Sequence, residues 1–289
     1  MLHFDNTGEV LRIAQEIISP SVYLDHWAIM EISESHVLAR RFSRALTIRG
    51  GTLVLSWLNV VKFSKVADDS QRRKADLLLN YVGSNVFWLN PDFFTVAKNE
   101  VLSSAEQIAR PTHSDLEFAA FFVTNGLKQS KEPQTLGPQN LFGVIHTAPG
   151  IPKKYDDLAD LIAAQIERLR RELESNKAMR AAIKVPPKAQ PLLRGTRIIA
   201  RELIARFLRD KTLKLSRNNA IDLSHAVVSV SYCDYVLLDG QWEAMVNEAR
   251  SRIAKAGVSM PIAKVFSKRG NGVENFLYEL ETGASKKGS

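Results

Sequence analysis

Apolar residues recur along this chain in two distinct periods. Between 8 and 18, Val10, Ile13, Ala14 and Ile17 follow a helical spacing that Pro20 ends. The segment SVYLD at 21–25 is instead a short run of β-formers closed by Asp25. Residues 34–48 return to the helical period and stop at Gly50-Gly51, TLVLS at 52–56 is a second buried strand, and a helix starts near Trp57. A basic amphipathic helix over 69–82, opened by Asp68 and Asp69, and a strand over 85–89 complete this part.

From 92 to 216 the pattern is helical or irregular, with one weak strand at LFGVIH, 141–146. Gly and Pro punctuate 126–154, which predicts an irregular connection. Leu158, Leu161, Ile162, Ala164, Ile166 and Leu169 give 155–178 a helical apolar face; VPPKAQP breaks it, and a further helix covers 193–210. The α/β alternation then resumes with a helix over 218–231, the apolar strand CDYVLLD at 233–239, a helix over 241–256, the strand PIAKVFS at 261–267 and a short helix over 272–281. This order predicts an α/β protein with a mainly parallel sheet, in two halves (1–91 and 215–289) separated by a mainly helical insertion at 92–214.

With 289 residues, 45% of them apolar, the chain can bury a substantial core. Lys and Arg outnumber Asp and Glu by 39 to 31, a surplus that attracts polyanions such as RNA. The single cysteine, Cys233, excludes an internal disulfide and a thiolate zinc cluster, and it suits a reducing, cytoplasmic setting. The N-terminal stretch lacks a signal-peptide pattern and no window is apolar enough for a membrane span, so no membrane partner is expected. G-x-x-x-x-G-K-[ST], G-x-G-x-x-G and G-x-S-x-G are all missing, which argues against P-loop, dinucleotide and α/β-hydrolase chemistry.

The candidate chemistry is acidic. Two strands end in aspartate, Asp25 and Asp239, and in a parallel sheet such ends share one edge, where open α/β folds bind ligands. Asp222 lies on the helix that feeds the second of these strands. Carboxylates brought together require a counter-charge, and a hard divalent cation with oxygen ligands supplies one. Taken singly, each Asp is as well explained as a turn residue or a helix N-cap.

SVYLDHWAI at 21–29 is similar to the first strand of PIN-domain nucleases, and NNAIDLSHAVVSVSYCDYVLLDGQW at 218–242 resembles their second half. The resemblance covers roughly 20–90 and 215–267. It implies a Rossmann-like three-layer αβα sandwich, Mg²⁺ or Mn²⁺ held by Asp25, Asp222 and Asp239 as metal-binding and catalytic residues, and cleavage of RNA or structured DNA. The family's further acid, on the helix after the second strand, falls here on Lys62 of TLVLSWLNVVKFSKV. Lys62 is then a substitution, a sign that three acids suffice, a mark of a degenerate site, or, if that helix is misplaced, an ordinary solvent lysine. Glu31 or Glu34 could stand in for the missing acid. His225 shares a helix face with Asp222, and His26 follows Asp25; either could support the site through a hydrogen bond, or be a packed histidine.

Among the basic clusters, the group around Lys211, Lys214 and Arg217 precedes the Asp222 helix and is the best candidate for holding a phosphate backbone. The leading expectation is therefore a metal-dependent endoribonuclease, by analogy a toxin or defence effector, with an inhibitor, partner chain or second copy docking on it. Its rivals are a non-catalytic PIN-like module that binds RNA or protein, and a structure-specific DNA nuclease.

Overall fold

The computed structural model describes residues 1–6, 11–106, 113–129, 140–147, 151–185, 195–209 and 216–283. Five parallel strands form the central sheet: β3 (Ser21–Leu24), β4 (Thr52–Leu55), β5 (Val86–Trp88), β6 (Tyr235–Leu237) and β7 (Lys264–Phe266), in spatial order β5-β4-β3-β6-β7. Every residue of β3 to β6 is buried, as continuous apolar runs in a helix-covered parallel sheet should be. Within this sheet the chain enters at the central strand β3 and steps outward to β4 and β5. It then returns to the other side of β3 with β6 and β7, so the order reverses between β3 and β6. Such a reversal opens a crevice beyond the carboxyl ends of the strands.

The first two elements differ from the helix predicted over 8–18. Leu2–Asp5 (β1) and Arg12–Gln15 (β2) pair antiparallel, in the register Leu2 with Gln15. Leu11, Ile13 and Ile17 suit a strand as well as a helix, and their packing against the main core decides the outcome. Gln15 shows what the pairing achieves. Its side-chain amide receives the N–H of Trp88 at 2.8 Å and donates to the Trp88 carbonyl at 3.0 Å, so it closes the exposed edge of β5 as a neighbouring strand would.

Around the sheet lie α1 (His26–Glu34), α2 (His36–Ile48), α3 (Trp57–Val66), α4 (Asp69–Val82), α5 (Phe93–Glu106), α6 (Leu116–Gln129), α7 (Leu141–Thr147), α8 (Ile151–Ser175), α9 (Lys177–Lys184), α10 (Gly195–Arg209), α11 (Arg217–Tyr232), α12 (Gly240–Lys255) and α13 (Gly272–Thr282). Asp68 caps α4 by accepting the Gln71 N–H at 2.7 Å. The strand predicted at 141–146 is instead helix α7. Phe142 is fully buried 4.6 Å from Phe63 of α3, ring centroid to centroid, and Asp76 of α4 accepts the Phe142 N–H; tertiary contacts override the local β preference.

Phe93, Phe122, Phe142, Ile162, Ile166 and Phe207 of the middle segment belong to the same hydrophobic core as β3 and β6. The expected insertion thus shares its buried surface with the sheet. Cys233, at the end of α11, is buried, and burial raises its thiol pKa well above the usual value. No helix among the described residues is long and apolar enough to cross a membrane.

Candidate functional site

The register of the sheet assembles the edge. Tyr23 pairs with Val54 and Leu24 with Leu237, so Asp25 follows β3 beside Ser56, which follows β4. Asp239 lies just past the end of β6. Asp25 is 3% exposed and caps α1: its Oδ1 accepts the His26 N–H at 2.7 Å and lies 3.2 Å from His26 Nδ1. Asp239 is the N-cap of α12 but makes no side-chain cap hydrogen bond. Asp222 reaches the same place from α11.

Lys62 closes the cluster. Helix α3 begins at Trp57 as predicted, and its Lys62 is no solvent lysine. Its Nζ donates to Asp222 Oδ1 at 2.8 Å, and both side chains are only 15% exposed. Burial opposes a charged lysine, yet the nearby carboxylates of Asp25 and Asp222 outweigh it and raise the Lys62 pKa. Lys62 therefore remains an ammonium and is no candidate nucleophile or Schiff-base lysine, which would need a depressed pKa.

The two carboxylates respond differently. Burial would raise the Asp25 pKa, but the His26 hydrogen bond, the Lys62 ammonium and neighbouring imidazoles hold it well below the usual range. Asp222 moves up instead: burial, with Asp25 and Asp239 nearby, exceeds the relief from Lys62. On acidification Asp222 takes a proton before Asp25.

Beneath the edge runs a fully buried polar relay. Asn59 Oδ1 accepts from Ser56 N–H at 2.9 Å and from Ser56 Oγ at 2.8 Å, and Asn59 Nδ2 donates to the Leu24 carbonyl at 3.1 Å. The Tyr23 hydroxyl lies 3.5 Å from Ser56 Oγ and hydrogen-bonds His225 Nδ1. His225 is 1% exposed, its Nε2 has no hydrogen-bond partner, and burial lowers its pKa to about 3, so it is neutral. His26 thus touches Asp25 directly, whereas His225 is tied to Tyr23.

The rim is basic. Lys65 lies 4.3 Å over the ring of Tyr155, a buried α8 residue whose pKa burial pushes up to about 12 with Lys62 and Asp222 in its surroundings. Lys268 lies 5.6 Å from the ring centre of Trp27. Arg269 lies against Gly240, where a Cβ would sit 2.6 Å from its Nε. Tyr155, Tyr23 and Arg269 were not foreseen. Asn59 had a signal, Ser56 three residues ahead of it in a capping-box spacing; the other three depend on contacts distant in sequence.

Other expected residues are engaged elsewhere. Of the two stand-ins for the missing acid, Glu34 pairs with Lys74 at 2.6 Å and Glu31 lies 3.8 Å from Lys268. Arg217 makes a bidentate pair with Asp160, both contacts at 2.6 Å. Lys211 and Lys214 lie outside the described residues.

A divalent ion at Asp25, Asp222 and Asp239 does not fit the side chains as they stand. Among the described residues no three His, Cys, Asp or Glu side chains converge closely enough to hold one, and the Lys62 ammonium already occupies an Asp222 oxygen. Comparison with protein-family models, with curated proteins and with solved structures finds no match to this chain.

Proposed function

We propose that this chain is a PIN-like module, a three-layer αβα sandwich, that holds a polynucleotide at the carboxyl edge of its sheet without metal-dependent hydrolysis. The observation that carries the reading is the Lys62 ammonium seated 2.8 Å from Asp222, with both groups largely withdrawn from water. An ammonium is a fixed monovalent donor. It neutralises carboxylates but cannot take an attacking water and a phosphoryl oxygen into one coordination sphere, as a catalytic divalent ion does. Lys65, Lys268 and Arg269 beside the edge, the first two within 3.8 Å of Asp156 and Glu31, together with the net charge of +8, support a phosphate-rich partner. Among the described residues the rings beside these cations, Tyr155 and Trp27, are buried, which supports backbone contact over base stacking.

The second reading, a metal-dependent endoribonuclease, is favoured by the delivery of Asp25, Asp222 and Asp239 to one edge. Labelled single-stranded RNA, incubated with the protein with and without Mn²⁺, separates the two. The expected result is salt-sensitive binding of intact RNA, weakened by Arg269→Glu. Mn²⁺-dependent cleavage that Asp222→Ala abolishes would restore the nuclease. Failure to bind RNA, with flapped DNA equally inert, would point to a protein partner instead.

A further inference from the structure

We infer that the cleft between helices α8, α9 and α10 is a binding site for a nucleoside triphosphate, separate from the acidic edge and from any polynucleotide held there. The cleft has a volume of about 820 Å³, inside the ~300–1,000 Å³ range of small-ligand sites. Helix α8 joins the two places. Its Tyr155 has Lys62 and Asp222 in its surroundings, and its Arg170 lines the cleft, about 22 Å further along the helix axis.

The walls carry an excess of positive charge. Arg170, Arg171, Arg180, Lys184 and Arg209 line the cleft, against the acids Glu167 and Glu174. Arg170 pairs with Glu167 at 2.6 Å, and Arg209 with Glu248 of α12 at 3.3 Å. Among the described residues Arg171, Arg180 and Lys184 have no carboxylate in ion-pair contact. Arg180 is held by neutral groups instead. Its Nη1 donates to the carbonyls of Leu173 at 2.8 Å and Glu174 at 2.6 Å, near the end of α8. These bonds fix the guanidinium and leave its Nε and Nη2 hydrogens as a planar pair for an anion. A solvated basic face is built differently: elsewhere on α8, Arg168 lies 3.7 Å from Glu172 at i,i+4. Arg180 and Lys184 are also four residues apart, but both are positive, on a helix with no acid and no buried residue. Their repulsion weakens α9 unless an anion sits between them.

The remaining wall identifies the rest of the ligand. Leu173 is buried, Leu208 packs against the main core, and Ile183 faces them half-buried from α9. Three cations without carboxylates suit a chain of three phosphates, whose oxygens accept paired guanidinium bonds. The apolar wall suits a nucleobase, which inorganic phosphate lacks. A nucleotide held this way also bridges α9 to its neighbours. The helix is otherwise tied down by arginine–carbonyl bonds: Arg180 to α8, and Arg201 of α10 to the carbonyls of Ala182 and Val185, both at 3.1 Å. Binding therefore firms α9.

The test is calorimetric titration of the full chain in low salt without divalent cations, with ATP, AMP and inorganic triphosphate as probes. Arg171→Met with Lys184→Met removes two exposed cleft cations that hold no acid, so the fold should survive. Arg168→Met with Lys177→Met removes the same charge from the same two helices outside the cleft. We expect a single saturable ATP site, with AMP weaker by about tenfold or more. The first double variant should lose about tenfold or more in ATP affinity, and the second should stay close to wild type. Ile183→Ser should weaken ATP and leave inorganic triphosphate unchanged. ATP should also slow amide hydrogen exchange across Lys177–Lys184 in the wild type and not in the first double variant. Absence of saturable ATP binding would overturn the inference. So would equal losses in the two double variants, the mark of a general attraction to basic surface. Inorganic triphosphate bound as tightly as ATP would overturn it too, because the apolar wall would then have no part. No RNA enters these titrations, so their outcome is independent of the RNA-binding experiment.

Discussion

Asp25 and Asp76 are both almost fully buried, at 3% and 5% exposure, yet they titrate in opposite directions. Asp25 has an ammonium nearby and a hydrogen bond from His26, and its pKa is driven down. Asp76 has backbone donors alone: Phe142 N–H at 3.2 Å, with Leu141 and Gly143 alongside, at the start of the seven-residue α7. Burial prevails there and lifts the Asp76 pKa to about 7. The partial charge at a helix start offsets part of the cost of dehydrating a carboxylate; at Asp25 the His26 hydrogen bond with the Lys62 charge nearby offsets all of it, whereas at Asp222 the same ammonium does not. The two sites therefore slope oppositely with pH. The low folded pKa of Asp25 contributes stability that is present above its unfolded pKa, near 4, and lost as pH falls. The raised pKa of Asp76 contributes stability that is present below that value and lost as pH rises toward 7.

Removing the ammonium should break the comparison most severely. Lys62→Met takes the direct partner from Asp222 and leaves Asp25 with His26 alone, and a loss of about 3–5 kcal/mol is expected in metal-free urea unfolding at neutral pH. The loss should shrink on mild acidification, because the raised pKa of Asp222 lets it take a proton. A Lys62→Met protein as stable as wild type would mean that the ammonium is not what makes the edge tolerable. Next in size is Asp76→Asn, which keeps an acceptor for α7 and cannot ionise. Its stability should exceed wild type by about 1–3 kcal/mol at pH 8 and match it near pH 4. A less stable variant at pH 8 would show that the backbone donors outweigh burial. The smallest effect belongs to Asp160→Ala, which frees the exposed Arg217. No resolvable change in stability is expected, but RNA binding should tighten and its logarithmic salt dependence should steepen by about one. An unchanged slope would place Arg217 outside the contact surface.

The strands ending at Asp25 and Asp239, the helices carrying Lys62 and Asp222, and the parallel sheet were legible because each rests on local signals: apolar runs, turn residues and caps. The N-terminal hairpin was not, since Ile13 and Ile17 satisfy a helix and a strand equally and only docking beside β5 separates them. Helix α7 was hidden because LFGVIH looks like a strand until Phe63 and Asp76 are placed around it. At the site, Lys62 could be marked as out of place from its position alone. Its contact with Asp222, 160 residues away, could not, and neither could the pairing of Arg217 with Asp160. Spacing reveals which residues share a helix face; it says nothing about which distant helix meets that face.

The strand order carries a consequence for how the molecule is made. Central strand β3 precedes the other four strands of its sheet in the chain, yet one of its two neighbours is β6, roughly two hundred residues later. Until β6 emerges, one side of β3 has no partner in the sheet, and Lys62 waits for the same stretch of chain to bring Asp222. Pairings this remote form late and slowly. On the ribosome the acidic edge is therefore completed only after α11 and β6 have emerged, and a chain terminated before them would carry Lys62 and Asp25 without Asp222, the carboxylate that receives the ammonium.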